Sequence, residues 1–100
     1  NWVIDRKSDK DIEFIASLYE PVSGRLMEIY SDQPGLQFYS GNFLDGKVVG
    51  KYGKPHRFRE AVALETQKYP DTPNQPQFPS TRLNPDEIYT QTCVYKFSVK

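Results

Sequence analysis

The sequence predicts an all-β fold, an antiparallel β-sandwich with little or no helix. Apolar and polar residues alternate along several short segments, and a period of two is typical of strands that bury one face. Five of the six glycines lie within residues 35–53, and five of the eight prolines lie within 70–85. Both residue types interrupt regular structure, so irregular connections are expected there. A strand with one apolar face needs a second layer to cover it, which favours a sandwich.

The clearest single element is a hairpin near the start of the chain. Residues 12–19 alternate in polarity, which places one apolar set on a shared face: Ile12, Phe14, Ala16 and Leu18. Residues 21–24 have the composition of a turn, and 25–31 is predicted as the returning strand. Three further strands are predicted from their aromatic and β-branched content or their apolar runs, over 36–40, 61–66 and 89–99.

Composition narrows the partners that the chain is expected to have. One hundred residues suit one domain, or part of a larger one, with a modest core. Thirteen basic residues balance thirteen acidic ones at a pI near 6.8, so no net charge favours nucleic acid or an anionic membrane. No apolar stretch approaches the roughly 20 residues that span a bilayer. We therefore expect a soluble chain without nucleic-acid or membrane partners, and its compartment is left open.

Residues that bind metals or phosphate loops are scarce. His56 is the only histidine and Cys93 the only cysteine, which leaves too few ligands for a zinc cage and no internal disulfide. Residues 50–54 lack the spacing of a phosphate-binding loop. No metal or cofactor is predicted. His56 lies in a basic segment, 51–59, that is expected to be an exposed loop, and Cys93 is expected to act as a small core hydrophobe.

Two signature segments, in order, carry a resemblance to a known family. Residues 31–46 read SDQPGLQFYSGNFLDG, and residues 64–67 read LETQ just ahead of a Pro-rich stretch. Both resemble the aldose 1-epimerase, or galactose mutarotase, family at the family's spacing. Residues 1–3 look like the continuation of its Asp-His-Asn-aromatic segment, and 95–99 is similar to its closing strand. The resemblance covers residues 1–100 and implies the C-terminal third of one large sandwich domain, with the upstream portion absent.

The resemblance also implies an activity, an isomerase that interconverts the α and β anomers of a hexose without a cofactor. Such an enzyme removes a proton from the anomeric hydroxyl and delivers one to the ring oxygen, so the ring opens to an aldehyde and recloses. It implies Glu65 as the general base and Gln37 as a ligand of the sugar hydroxyls. Thr66 and Gln67 are expected to orient the Glu65 carboxylate by hydrogen bonds.

The partners that the resemblance implies are a small aldose and further polypeptide. The family's acid is a histidine upstream of this chain, and a substrate-binding aspartate falls just before Asn1. Either the remainder of the same polypeptide or a complementary chain would supply both. The isolated 100 residues are therefore expected to be incomplete and inactive.

Structural interpretations and other functions compete with this one. A glutamate at a strand end is usually solvated or ion-paired, and a glutamine after Pro34 and Gly35 usually caps a turn at an edge. One alternative is a non-catalytic carbohydrate-binding sandwich; another is an epimerase of a hexose phosphate, held by the basic segment 51–59. A structural β-domain of a larger carbohydrate enzyme is a third. Glu65 favours the enzyme, because a pure binder needs no base.

Overall fold

Six strands and one short turn of 3-10 helix make up the chain. The computed structural model describes residues 1–100. The strands are β1 (Trp2–Val3), β2 (Glu13–Glu20), β3 (Arg25–Ser31), β4 (Gly35–Tyr39), β5 (Ala63–Gln67) and β6 (Cys93–Val99). The 3-10 turn, Thr72–Asn74, lies in the Pro-rich connection. The structure contains no helix with the length and apolarity that crossing a membrane requires.

The strands form two antiparallel sheets of three strands each. One sheet has the order β1-β4-β5 and the other the order β2-β3-β6, so each sheet has two edge strands. Every pairing is antiparallel. The all-β, sandwich-like architecture with almost no helix is confirmed.

The hairpin of β2 and β3 closes with a turn over residues 21–24, as predicted. Gly24 has φ +72°, a left-handed conformation that glycine adopts without steric cost. The Glu20 carboxylate accepts hydrogen bonds from the backbone N–H groups of Val22 and Ser23, at 2.8 and 2.7 Å. The last residue of β2 therefore caps the turn with its own side chain.

The prediction that Ile12, Phe14, Ala16 and Leu18 share one apolar face of a strand over residues 12–19 is wrong. Phe14 pairs with Tyr30, but Ala16 pairs with Ile29, so one extra residue forms a bulge between Phe14 and Ala16. A one-residue slip moves side chains to the opposite face. Phe14 accordingly packs edge-on against Tyr30, with ring centroids 5.7 Å apart, while Ala16 lies on the Ile29 face.

The last strand is shorter than predicted, because residues 89–92 do not join the ladder. The Thr92 N–H donates instead to a carboxylate oxygen of Asp32 at 2.9 Å. The Thr92 carbonyl accepts from the Ser31 hydroxyl at 2.8 Å. Side chains thus satisfy the backbone just before β6, and the strand begins at Cys93.

The buried core is small for the length of the chain. Only nine of the 100 residues are buried, and the hydrophobic ones are Ile29, with 0% exposure, and Leu36, with 1%. The radius of gyration is 16.6 Å, whereas a compact domain of this length has about 13 Å. Large apolar side chains stay exposed on both sheets, among them Trp2, Phe38 and Phe97. Much of the apolar surface of both sheets is therefore uncovered.

Candidate functional site

Gln37 and Glu65 lie directly opposite each other on neighbouring strands. They are Cα partners in the antiparallel pair of β4 and β5. Opposite residues project from the same face, with Cβ atoms about 4.5–5.5 Å apart. The two residues that the sequence singles out, from segments with a long loop between them, are thus brought together. An amide and a carboxylate side by side can both hydrogen-bond one polyol.

Gln37 has a strand partner on one side. It pairs with Glu65 of β5, whereas β1 pairs only with Gly35 and Leu36 of the same strand. The side chain is half-buried. This position holds the amide on a rigid strand rather than on a loop, which suits a residue that must present donors and acceptors in a fixed geometry.

Glu65 is exposed and takes part in none of the three ion pairs of the chain. It lines a groove of about 360 Å³ between β5 and the second sheet, whose other walls are Met27, Val62, Ala63, Leu64, Tyr95 and Phe97. Six of the seven lining residues are hydrophobic. The carboxylate is therefore free to accept a proton from a ligand at the edge of an apolar groove.

Two further amides lie on the face shared by Gln37 and Glu65. Gly35 precedes Gln37 by two residues, and a Cβ built on it would lie 3.0 Å from the Asn1 side-chain nitrogen. The Asn1 amide therefore covers Gly35 on this face, and its oxygen accepts a hydrogen bond from Gln67 Nε2 at 3.4 Å. Asn1 was not predicted from the sequence to lie on this polar face. Gly35 was the available signal, because a residue without a side chain leaves room for another side chain there.

Thr66 and Gln67 do not orient the carboxylate as expected. Thr66 points to the opposite face, is 8% exposed, and accepts a hydrogen bond at its hydroxyl from Gln91 Nε2 at 3.1 Å. Gln67 bonds Asn1 instead. The prediction that these two side chains hydrogen-bond Glu65 is wrong, because alternation along a strand sends Thr66 to the other face.

The residues on either side of Glu65 are held by the last segment of the chain. Tyr95 donates its hydroxyl to the Leu64 carbonyl at 2.6 Å. Burial raises the pKa of Tyr95, and the Cys93 thiol and the negative charge of Glu65 raise it further. The hydroxyl thus keeps its proton at neutral pH and remains a donor to the carbonyl.

The basic segment 51–59 lies in exposed loop, as predicted, and His56 is exposed. The Arg59 guanidinium donates a hydrogen bond to the Ser40 hydroxyl at 3.2 Å, one residue after the end of β4. Cys93 is a free, half-buried thiol. It shares a face of the second sheet with Tyr95 and Phe97, which are 43% and 74% exposed, so the expectation that it lies in the core is wrong.

Comparisons with known proteins bear directly on this arrangement. The family model described as Aldose 1-epimerase matches residues 4–96. The chain is 48% identical to the galactose mutarotase of Rattus norvegicus over 93 residues, which cover 93% of this chain and 27% of that relative. It is 47% identical to the galactose mutarotase of Homo sapiens over the same shares. It is 38% identical to the aldose 1-epimerase of Escherichia coli (strain K12) over 73 residues, 71% of this chain and 21% of that protein.

The chain spans about a quarter of the length of the mammalian relatives it matches. The family model nevertheless matches well over half of the chain, and the matched residues include the whole of β4 and β5 with Gln37 and Glu65. The chain belongs to the aldose 1-epimerase family.

Proposed function

We propose that this chain supplies the general base and a sugar-binding amide to an aldose 1-epimerase that interconverts the α and β anomers of a hexose. The observation that carries the proposal is the direct opposition of Gln37 and Glu65 on β4 and β5. Membership of the family supports the reaction class. The names of the mammalian relatives support galactose as one substrate.

In the proposed reaction Glu65 removes the proton from the anomeric hydroxyl while an acid protonates the ring oxygen. The bond between the anomeric carbon and the ring oxygen breaks, and the anomeric carbon becomes an aldehyde. Rotation about the adjacent carbon–carbon bond presents the other face of the aldehyde. Reclosure then reverses both proton transfers, so the carboxylate is regenerated and no cofactor is consumed.

Gln37 has the complementary role of holding the sugar. Its amide carries two donors and one acceptor oxygen, which match the hydroxyl groups of a pyranose. Because Gln37 and Glu65 project from the same face, a sugar bonded to the amide lies within reach of the carboxylate. Asn1 and Gln67 extend the same polar surface toward the Gly35 end of the strands.

We assign the acid, a histidine, and the remaining sugar ligands to polypeptide outside these 100 residues. The uncovered apolar surface supports this division, since Trp2 and Phe38 stack on each other yet stay 65% and 43% exposed. The share of the relatives that the chain spans also supports it. In this proposal the chain is the C-terminal part of one larger sandwich domain, and the missing part covers both sheets.

Polarimetry tests the function in the full-length polypeptide, meaning the longest natural chain that contains these residues. This polypeptide is expected to speed the change in optical rotation of freshly dissolved α-D-galactose or α-D-glucose toward its equilibrium value. Glu65→Gln keeps the shape but loses the basicity, so most of the rate should disappear while sugar binding persists.

The control is Glu87→Gln, which alters an exposed carboxylate that caps a turn at Asn84. That variant should keep the parent rate. A full-length protein that binds sugar without speeding the change in optical rotation would identify a carbohydrate-binding sandwich instead. An undiminished rate in Glu65→Gln would remove Glu65 from the role of base.

A further inference from the structure

We infer that Gln91 and Tyr95, named here the edge clamp, are positioning residues that fix the backbone of the proposed base. This inference rests on the proposed function. Strand β5 has a neighbouring strand on one side only, so its outward-facing backbone groups lack ladder partners. The edge clamp comes from the segment that leads into and begins the final strand. It links that segment to the strand that carries Glu65.

The hydrogen bonds of the edge clamp bracket Glu65. Tyr95 donates its hydroxyl to the Leu64 carbonyl at 2.6 Å. Gln91 Nε2 donates to the Thr66 carbonyl at 2.6 Å and to the Thr66 hydroxyl at 3.1 Å. Carbonyls two residues apart on a strand project to the same side. The residue before the base and the residue after it are therefore both held from the same side of the strand.

The orientation of the Gln91 amide is fixed by a further bond. The Tyr89 hydroxyl and Gln91 Oε1 are hydrogen-bonded at 2.8 Å. A carbonyl only accepts, so the nitrogen end of the amide must face Thr66 and the oxygen end must face Tyr89. The same segment thus both supplies the donor and keeps it turned toward β5.

This arrangement matters because the Glu65 side chain has no ion pair of its own within the chain. The direction of its Cα–Cβ bond is set by the backbone at Leu64 and Thr66. A base must lie within hydrogen-bond reach of the proton that it removes. Loss of the brackets should therefore misplace the carboxylate while leaving Gln37 in place, since neither Gln91 nor Tyr95 bonds Gln37.

The test uses the full-length polypeptide with Tyr95→Phe, Gln91→Met and the double variant. Each single change is expected to lower kcat about 5-fold and the double change about 30-fold, while KM stays within about twofold of the parent value. The expected losses are of this size because misplacement of a reacting group by about 1 Å lowers the rate on the order of 100-fold. Gln91→Lys restores a donor toward the Thr66 carbonyl and should recover most of the rate. Matched controls are Tyr19→Phe in β2 and Gln77→Met in the Pro-rich connection, which should behave like the parent.

A merely structural role predicts a different pattern. Partial unfolding would lower the number of sugar sites measured by calorimetry in step with kcat, whereas misplacement of the base leaves the number of sites unchanged. An equal loss of sites and rate, or an unchanged kcat in the double variant, would overturn the inference.

Failure of the positioning role can be distinguished from failure of the proposed function. If the parent is active and Glu65→Gln is not, while the edge-clamp variants match the parent, then only the positioning role fails. If Glu65→Gln is as active as the parent, the proposed base fails, and with it the reason for the edge clamp.

Discussion

Asp32 and Thr92 bind each other through two hydrogen bonds although 60 residues separate them. The Thr92 N–H donates to the Asp32 carboxylate at 2.9 Å, and the Asp32 N–H donates to the Thr92 carbonyl at 3.4 Å. The other carboxylate oxygen of Asp32 accepts from Gln33 Nε2 at 2.9 Å. The turn that leads from β3 into β4 is thereby joined to the segment that leads from β5 into β6. Both segments run from one sheet to the other, so these hydrogen bonds tie the two crossings together.

Asp32→Ala should therefore destabilise the fold rather than the chemistry. The change leaves the Thr92 N–H and the Gln33 amide without their acceptor, and a buried polar group without a partner costs about 1–3 kcal/mol. Urea denaturation of the full-length polypeptide should show a lower midpoint with an unchanged slope. Asp5→Ala, at an exposed position near the start of the chain, is the control and should leave the midpoint in place. Equal midpoints for the two variants would contradict the prediction.

The elements that the sequence predicts well are those whose pattern is local. The turn at 21–24 and the strand at 25–31 occur as expected, because a turn composition and an alternating segment determine them without distant contacts. The bulge after Phe14 was missed, since an extra residue leaves the composition of the strand unchanged and reverses only its faces. The early end of regular pairing before Cys93 was missed because Asp32 competes for the backbone of Thr92 from far along the chain.

The candidate site, too, is predictable from the sequence only in part. Family resemblance singles out Gln37 and Glu65, but only strand pairing shows that they are directly opposite. Thr66 was expected to support the carboxylate because it is adjacent in sequence, yet adjacency on a strand means opposite faces. The residues that hold the strand, Gln91 and Tyr95, lie about 25 to 31 positions from their partners, and no local pattern marks such contacts.

The turn at the tip of the first hairpin should respond to pH through Glu20. Hydrogen bonds from the Ser23 hydroxyl, and then from the backbone N–H groups of Val22 and Ser23, lower the pKa of Glu20 below the ordinary value for a glutamate side chain. A carboxyl with a lowered pKa in the folded state stabilises the fold above its unfolded pKa. That contribution is lost as the pH falls through the folded value.

NMR titration of the Glu20 side-chain carbonyl carbon in the full-length polypeptide measures this shift. Its midpoint should lie below the ordinary value for glutamate, and Ser23→Ala should move it upward, because that variant removes the largest cause. Val22→Ala serves as the control, since it keeps the backbone N–H and should leave the midpoint unchanged. A midpoint in Ser23→Ala equal to that of the parent would show that the hydroxyl does not stabilise the carboxylate.

Gln37→Ala should weaken sugar binding more than it slows the chemical step. If the amide bonds hydroxyls equally in the ground state and the transition state, its loss raises KM and leaves kcat nearly unchanged. The loss of one or two hydrogen bonds of about 1 kcal/mol each corresponds to a rise in KM of about 5- to 30-fold. Steady-state polarimetry on the full-length variant, with Gln77→Ala as the control, gives both constants. A fall in kcat at constant KM would instead give Gln37 a role in the transition state.

The isolated 100-residue chain should be inactive and only marginally folded. Nine buried residues and a radius of gyration of 16.6 Å leave too little apolar burial to offset the conformational entropy of 100 ordered residues. Circular dichroism of the isolated chain should show a broad, weakly cooperative thermal transition, and polarimetry should show no acceleration. Addition of the separately produced upstream polypeptide should sharpen the transition and restore turnover, because the proposed function assigns both the acid and the cover for the two sheets to that polypeptide. Turnover by the isolated chain alone would mean that acid and base both lie within these residues, and His56 would then be the first candidate for the acid, since it is the only histidine.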